Sequence, residues 1–249
     1  MDNTTKPNIY DNIESAKQAL LRASKDPKLG KYITEDKINE ALSNTIICHT
    51  NEAFVKQVKL VVPDIDENDP SMFGRIAFQA VESKKIVLRN NCNLEDIVHE
   101  IVHYCSLDGK DTGILGVGNE LISDKQNPDW NTLNEFHIDV LNEAMTHYIT
   151  QEVLPEIKVE DAYNYGGIFL KNYAKASGNM DKILDAYFAK DKGSLDFIAK
   201  DVNKEGLINW HDIIEVSGVY QYTNMGIFKN FAKNFEKCNT ELKKERRNK

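Results

Sequence analysis

Two histidines flank a glutamate in the segment His99-Glu100-Ile101-Val102-His103. In a helix, residues i and i+4 lie one turn apart on one face, so His99 and His103 could direct two imidazoles at one metal ion. Glu100 is offset from that face, where its carboxylate could accept a proton from a water molecule. The spacing supplies two metal ligands and a general base, and imidazole suits Zn2+.

This spacing rarely arises by accident. A chain of 249 residues with 6 histidines would contain it by chance roughly one time in a hundred. The competing interpretation is two histidines that are hydrogen-bonded in a polar groove without a metal. Apolar residues on both sides of each histidine predict a half-buried helix, which favours the metal-binding interpretation. These are Ile97, Val98, Ile101 and Val102.

A catalytic zinc site needs a third protein ligand and one position open to water. The segment Asn142-Glu143-Ala144-Met145-Thr146 offers a carboxylate on a second predicted helix. With this segment, the chain resembles the gluzincin group of zincin metallopeptidases, in which HExxH supplies two histidines and a glutamate on a downstream helix completes the site. The resemblance covers roughly residues 75 to 150. It implies that His99, His103 and Glu143 bind zinc and that Glu100 is the base.

The related metzincin motif does not fit, since it needs a glycine at position 106 and a third histidine at position 109. The chain has Ser106 and Gly109 there. His147 lies one turn after Glu143 and could bind the metal, but we interpret it as a residue that supports a ligand or contacts substrate.

Several further residues are candidates for supporting roles. His137 and Asp139 could orient a ligand imidazole, or could be solvated helix residues. Cys105 is predicted to be a small buried residue and not a ligand. In gluzincins a downstream Tyr, His or Arg commonly stabilises the oxyanion of the tetrahedral intermediate. The candidates here are Tyr148, Tyr163, Tyr165, His211, Tyr220 and Tyr222.

The motif follows a predicted small sheet. Residues 9 to 44 are predicted to be helical, with a break around Pro27 and Gly30. Asn93 can cap a helix whose body runs from Leu94 to Cys105. The β-branched and alternating runs that predict strands are Thr45 to Cys48, Phe54 to Val62, Arg75 to Val81 and Lys85 to Arg89, the last two joined as a hairpin through Glu82-Ser83-Lys84.

The region after the motif is predicted to be largely helical. Gly109 to Gly118 is predicted to be a flexible loop, with a lid as one role for it. Thr132-Leu133-Asn134-Glu135 forms a capping box for a helix that starts near Phe136 and ends at Pro155. The further predicted helices are Val159 to Ala176, Met180 to Ala189, Ser194 to Val202 and Asn224 to Lys244.

Together these elements predict an α+β, zincin-like fold: a small mixed sheet over the HExxH helix, with a mainly helical C-terminal lobe. We expect one integrated catalytic domain with three parts. These are a helical N-terminal segment (residues 1–44), a lobe with the sheet and the HExxH helix (45–126), and a helical lobe that carries the third ligand (127–249).

Charge and composition limit the partners. A net charge of -8 repels polyanions, so nucleic-acid binding is not expected. No segment has the 18 or so uninterrupted apolar residues that a membrane-spanning helix needs, and no signal peptide is evident. The 4 cysteines are scattered without a CxxC pair, which favours reduced thiols and a cytoplasmic location. The sequence does not specify an oligomeric state.

The leading hypothesis is a zinc-dependent metallopeptidase that hydrolyses peptide bonds in a peptide or protein substrate, using a zinc-activated water with Glu100 as general base. The substrate is expected to lie extended along the Lys85 to Arg89 strand. One alternative is a regulatory or effector protease of narrow specificity. Another is a non-catalytic zincin-like module that binds metal or serves as a scaffold. Glu100 argues against that module, because a structural metal site needs no base.

Overall fold

The computed structural model describes residues 8–65, 76–124, 126–127, 130, 134–156 and 164–204. Contacts divide the chain into two compact units. Unit 1 comprises Met1–Thr112 with Glu152–Glu156, and unit 2 comprises Gly113–Gln151 with Ile157–Lys249. The two predicted ligand histidines therefore belong to unit 1, and the predicted ligand glutamate belongs to unit 2. The three predicted parts of the domain stay a prediction.

Unit 1 begins with two helices, α1 (Ile9–Ala23) and α2 (Glu35–Ser43), joined by a turn with a short 3-10 helix at Leu29–Lys31. Asn8 caps α1 through a capping box, and the Thr34 hydroxyl caps α2 by accepting from the backbone N–H of Lys37. Each cap satisfies donors that a helix start leaves without partners. The predicted helical segment, with its break, is confirmed.

A mixed three-stranded sheet forms the middle of unit 1. Strand β3 (Lys85–Arg89) lies between β1 (Thr45–Cys48) and β2 (Ala77–Ala80), parallel to the first and antiparallel to the second. The three central residues of β3, Ile86, Val87 and Leu88, are fully buried. The predicted strands at β1 and β3 and the hairpin between β2 and β3 are confirmed.

The position of β3 corrects one expectation. A substrate peptide was expected to pair with Lys85–Arg89, but this strand is hydrogen-bonded to a neighbour on both sides. Its backbone donors and acceptors are already used in the sheet, so that prediction is wrong. In the described part of the sheet, the edge strands are β1 and β2.

The predicted strand over Phe54 to Val62 is also wrong, because these residues belong to helix α3 (Asn51–Val61). Its apolar residues Phe54, Val58 and Val61 recur at intervals of four and three, which is a helical period, and they pack with Val87 on one face of the sheet. The β-branched composition favoured a strand, but the spacing decides the structure. Thr50 caps α3 by accepting from the N–H of Ala53 at 3.1 Å.

Helix α4 (Leu94–Cys105) carries the HExxH segment and ends where it was predicted to end. It contacts α1 and α2 as well as β2 and β3, so it is packed by helices and by the sheet. Four apolar residues around the motif are fully buried, each of which stabilises the fold by about 1.5 to 3 kcal/mol relative to exposure. They are Ile97, Val98, Ile101 and Val102.

Hydrogen bonds fix both ends of α4. At its start, the Asn93 side chain accepts from the N–H of Asp96 while the Asp96 carboxylate accepts from the N–H of Asn93, both at 2.9 Å. At its end, the Lys37 ammonium donates to the Cys105 carbonyl at 2.6 Å. A cation at a helix C-terminus also interacts favourably with the helix dipole. The helix that carries the histidines is therefore rigid at both ends.

Unit 2 begins with a helix that the sequence did not predict, α5 (Leu115–Ser123). The expectation of a loop up to Gly118 is therefore wrong from Leu115 onward. At Gly118 an added Cβ would lie 3.0 Å from the Ile138 side chain, so glycine there allows close packing of α5 on the following helix. A glycine that serves packing has the same appearance in sequence as one that serves a turn.

The further described helices are α6 (Glu135–Val153), α7 (Asn164–Ser177), α8 (Met180–Phe188) and α9 (Lys192–Lys204), which confirms the predicted helices in their described parts. The predicted capping residue Thr132 and the predicted helix over Asn224 to Lys244 lie outside the described residues. At the start of α6, Asn134 and His137 each accept from the other's backbone N–H at 3.2 Å.

A buried tryptophan ties the segment before α6 to the last described helix of unit 2. The Trp130 indole N–H donates to Asp196 at 2.5 Å. Asp196 also accepts from the Lys192 ammonium, which bonds to Asp124 as well. Across the described ranges, no helix combines the length and apolarity needed to cross a membrane.

The cap of α4 leads to a stability prediction. Replacing Asn93 with Ala removes the acceptor for the N–H of Asp96, so we expect the free energy of unfolding to fall by about 1 kcal/mol. The measurement is urea denaturation followed by circular dichroism. The control is Asn91→Ala, which changes an exposed residue of the preceding turn and should alter stability by less than about 0.5 kcal/mol. Equal losses in both variants would contradict the capping role.

Candidate metal centre

The two histidines of α4 point their ring nitrogens at each other. Their Nε2 atoms are 3.1 Å apart, and their rings meet edge to face with centroids 4.8 Å apart. His99 is half-buried, whereas His103 is 5% exposed. The rigid helix therefore places two nitrogen donors at one point near the surface of unit 1.

This separation fits a shared zinc ion. Two nitrogen atoms bound at about 2.0 to 2.1 Å with a tetrahedral angle between them are about 3.3 Å apart. The observed 3.1 Å is close to that value. Two imidazole lone pairs at this distance repel each other unless a proton or a cation lies between them. The donor pair is thus suited to a divalent cation.

Glu100 follows His99 and is half-buried. Successive helix residues are rotated by about 100°, so Glu100 does not share the face on which the two imidazoles converge. Its carboxylate is close enough to Cys92 to be one of the groups that raise the pKa of that thiol. Glu100 thus follows His99 directly on α4, and its role as the base stays a prediction.

Glu143 lies on α6 and is half-buried, and its two polar neighbours fix that helix inside unit 2. The Asn142 side chain accepts from the N–H of Ile114 at 3.0 Å. The Thr146 hydroxyl contacts the Tyr187 hydroxyl of α8 at 2.7 Å. Both neighbours are buried, so they hold the backbone from which the Glu143 carboxylate extends.

His99 and His103 lie in unit 1, whereas Glu143 lies in unit 2. Two imidazoles and one carboxylate are a ligand set found in catalytic zinc sites. His99 and His103 converge within unit 1, and Glu143 is the ligand that the gluzincin resemblance implies from unit 2. Their assignment as zinc ligands stays a prediction.

The other polar residues of α6 that the sequence singled out, His147, His137 and Asp139, interact with residues of unit 2. His147 is fully buried, its Nε2 is 2.8 Å from the Gln151 amide nitrogen, and its ring lies against Gly167. His137 takes part in the cap of α6. Asp139 is exposed, yet partial desolvation raises the pKa of its carboxyl group, and the nearby carboxylates of Glu143 and Glu135 add to the effect.

The candidates for oxyanion stabilisation are mostly outside the described part of the chain. Tyr148 is described and is 1% exposed, which places it in the interior of unit 2. Tyr165 lies in α7. The remaining candidates, Tyr163, His211, Tyr220 and Tyr222, lie outside the described residues.

The described cysteines are buried thiols. Cys48, Cys92 and Cys105 are free, and burial raises the pKa of Cys105 to about 12. Burial also raises the pKa of Cys92 to about 12, with smaller contributions from nearby carboxylates. Since a thiolate is the form that binds metal or attacks a carbonyl, these thiols are poor ligands and poor nucleophiles at neutral pH. The prediction of a buried Cys105 is confirmed.

Two hydroxyl residues next to His103 were not anticipated from the sequence. Thr112 Oγ1 is 2.8 Å from the His103 carbonyl oxygen and 3.4 Å from His103 Nδ1. Ser106 Oγ is 2.7 Å from the same carbonyl oxygen and 2.7 Å from Thr112 Oγ1. No fixed spacing marks such residues, because the loop between Ser106 and Thr112 must fold back before they meet.

No family model, curated protein or solved structure matches the chain. Support for the metal centre therefore comes from its own geometry and from the chemistry of its donor atoms.

The converging imidazoles lead to a prediction about metal binding. We expect the wild-type protein to retain one equivalent of zinc through gel filtration, and His99→Ala and His103→Ala each to lose it, because either change removes one of the nitrogen donors. Elemental analysis by mass spectrometry measures the ratio. His49→Ala is the matched control, since His49 is an exposed histidine of unit 1. Retention of zinc by both α4 variants would exclude this centre.

Proposed function

We propose that this protein is a zinc-dependent metallopeptidase that hydrolyses peptide bonds, with a zincin-like catalytic domain. One observation carries the proposal: His99 and His103 hold two nitrogen donors 3.1 Å apart on one face of a capped helix, with Glu100 next to the first of them. Two imidazoles alone would suit a structural metal. The adjacent glutamate is the residue that hydrolysis requires.

A zinc ion at this centre would polarise the scissile carbonyl and lower the pKa of a bound water molecule. His99 and His103 would bind it through Nε2, the atoms that converge. Glu143 would supply a carboxylate oxygen, which leaves a fourth position for water or substrate. The carboxylate also offsets part of the positive charge that two neutral imidazoles cannot neutralise.

Glu100 would perform the proton transfers. Its carboxylate accepts a proton from the attacking water as the water oxygen bonds to the carbonyl carbon, and later donates it to the leaving amine as the C–N bond breaks. A half-buried carboxylate suits both steps, since it is open to water yet held by the helix. Because α4 is capped at both ends, the base and the two histidines keep their relative geometry during the reaction.

The proposed substrate class is inferred from the proposed reaction. A peptide is the natural amide substrate, and an extended peptide could pair with the sheet only at the outer edge of β1 or β2 in its described part. We propose a cytoplasmic location, because the described cysteines are free thiols, which persist in a reducing compartment.

The proposed base gives the first test. We expect Glu100→Gln to abolish hydrolysis of a fluorogenic peptide library, with a loss of at least about a hundredfold in kcat. Zinc content should be unchanged, because an amide retains the shape of the side chain but cannot accept the proton. Glu35→Gln is the control, as it removes the same charge from an exposed position on α2.

Two results would count against the proposal. Hydrolysis that survives intact in Glu100→Gln would refute the role of this carboxylate. A wild-type protein that binds zinc but cleaves neither the library nor unfolded casein would favour the metal-binding module. Cleavage of a few library members, with casein left intact, would instead indicate a peptidase of narrow specificity.

The proposed third ligand gives a separate test. We expect Glu143→Gln to weaken zinc binding, because a neutral amide is a poorer ligand than a carboxylate. Competition with a chromogenic chelator measures the change. Glu135→Gln is the matched control, because Glu135 is exposed in the first turn of the same helix. Equal zinc affinity in Glu143→Gln and the control would remove Glu143 from the ligand set.

A further inference from the structure

His103 is the more buried of the two histidines, and its second ring nitrogen faces a hydroxyl group. Thr112 Oγ1 lies 3.4 Å from His103 Nδ1. Thr112 is 6% exposed and Ser106 is 3% exposed, so water has little access to this side of the ring. Thr112 thus offers this nitrogen a hydrogen-bond partner from a side-chain oxygen.

The loop after α4 is built to bring Thr112 to this place. The Asp108 carboxylate accepts from the backbone N–H groups of Lys110 and Asp111, at 3.1 and 3.0 Å. Gly109 has a φ of 102°, a backbone conformation that residues other than glycine rarely adopt. The chain therefore reverses within a few residues and returns Thr112 to the last turn of α4.

The hydrogen bonds favour one arrangement of the protons. The His103 carbonyl can only accept, and the hydroxyls of Ser106 and Thr112 lie 2.7 and 2.8 Å from it. When the Thr112 hydroxyl donates to this carbonyl, its oxygen has only lone pairs left for the imidazole, and His103 Nδ1 then carries the N–H. In a neutral imidazole this leaves Nε2 with its lone pair, and Nε2 is the atom that converges on His99.

We propose that Thr112 is a positioning residue that holds His103 in the Nδ1–H tautomer and so presents the Nε2 lone pair to the metal. The proposal rests on the metal centre of the proposed function, but its first consequence is a property of the zinc-free protein. Thr112 bonds both to the carbonyl and to the ring of His103, so it fixes the ring's orientation as well as its tautomer. Ligand histidines are commonly oriented by such a partner on the other nitrogen.

The first experiment measures the tautomer of His103 in zinc-free protein labelled with 15N, by long-range proton–nitrogen correlation spectra. We expect His103 to carry its proton on Nδ1 in the wild type. Thr112→Val keeps the branched shape but removes the hydroxyl, so the Nδ1–H form should lose its preference. Thr112→Ser keeps the hydroxyl and should restore it.

The second experiment measures zinc affinity of the same proteins by competition with a chelator. Thr112→Val should bind zinc 10- to 100-fold more weakly, and Thr112→Ser should bind it almost as well as the wild type. Thr45→Val is the control, because it removes a hydroxyl that donates to the Ala41 carbonyl at 2.9 Å elsewhere in unit 1. It should change neither the tautomer nor the affinity.

The outcomes separate this inference from the proposed function. A wild-type His103 protonated at Nε2 would overturn the role of Thr112, as would a Thr112→Val variant with unchanged tautomer and affinity. If Thr112→Val does not fold, the wild type and Thr112→Ser decide through the tautomer alone. A protein that shows the expected tautomer and affinities but hydrolyses no peptide would refute the peptidase and leave the positioning role standing.

Discussion

The arrangement at the centre of this protein depends on two imidazole nitrogens that one helix holds 3.1 Å apart. At that distance, two lone pairs or two N–H groups repel each other, and only a shared proton or a cation makes the contact favourable. The capped and buried helix α4 holds the two rings in this arrangement, and under the proposed function a zinc ion would be bound by both nitrogens.

The packing of α4 explains how the chain maintains this geometry. The sheet and the helices α1 and α2 contact it, while Asn93 and Lys37 satisfy its ends. Its apolar residues are buried and its histidines lie at the border of the buried face. A metal centre on a regular helix is more precise than one on a loop, since hydrogen bonds and packing fix each Cα position. The loop that ends at Thr112 also contacts the imidazole ring of His103.

Sequence reasoning succeeded where a local pattern decides the structure. The cap and both ends of α4, the helices around Pro27 and the hairpin before β3 follow from spacing over a few residues. It failed where composition and packing point in different directions. Phe54 to Val61 is rich in β-branched residues but has a helical period, and Gly118 marks close packing against Ile138 where a loop was expected.

The sequence by itself determined which reactive groups are present. These are two imidazoles one helical turn apart, the carboxylate of Glu100 between them in the sequence, and the carboxylate of Glu143 on a second helix. Only the tertiary structure decided that β3 is a central strand with both edges occupied, that Asn142 and Thr146 anchor α6, and that Thr112 faces the ring of His103. The physical reason is how far apart in the sequence the interacting residues are. Helix periods and caps involve neighbours within about four residues, whereas strand order and the hydroxyl beside His103 depend on contacts that form only after the chain folds back on itself.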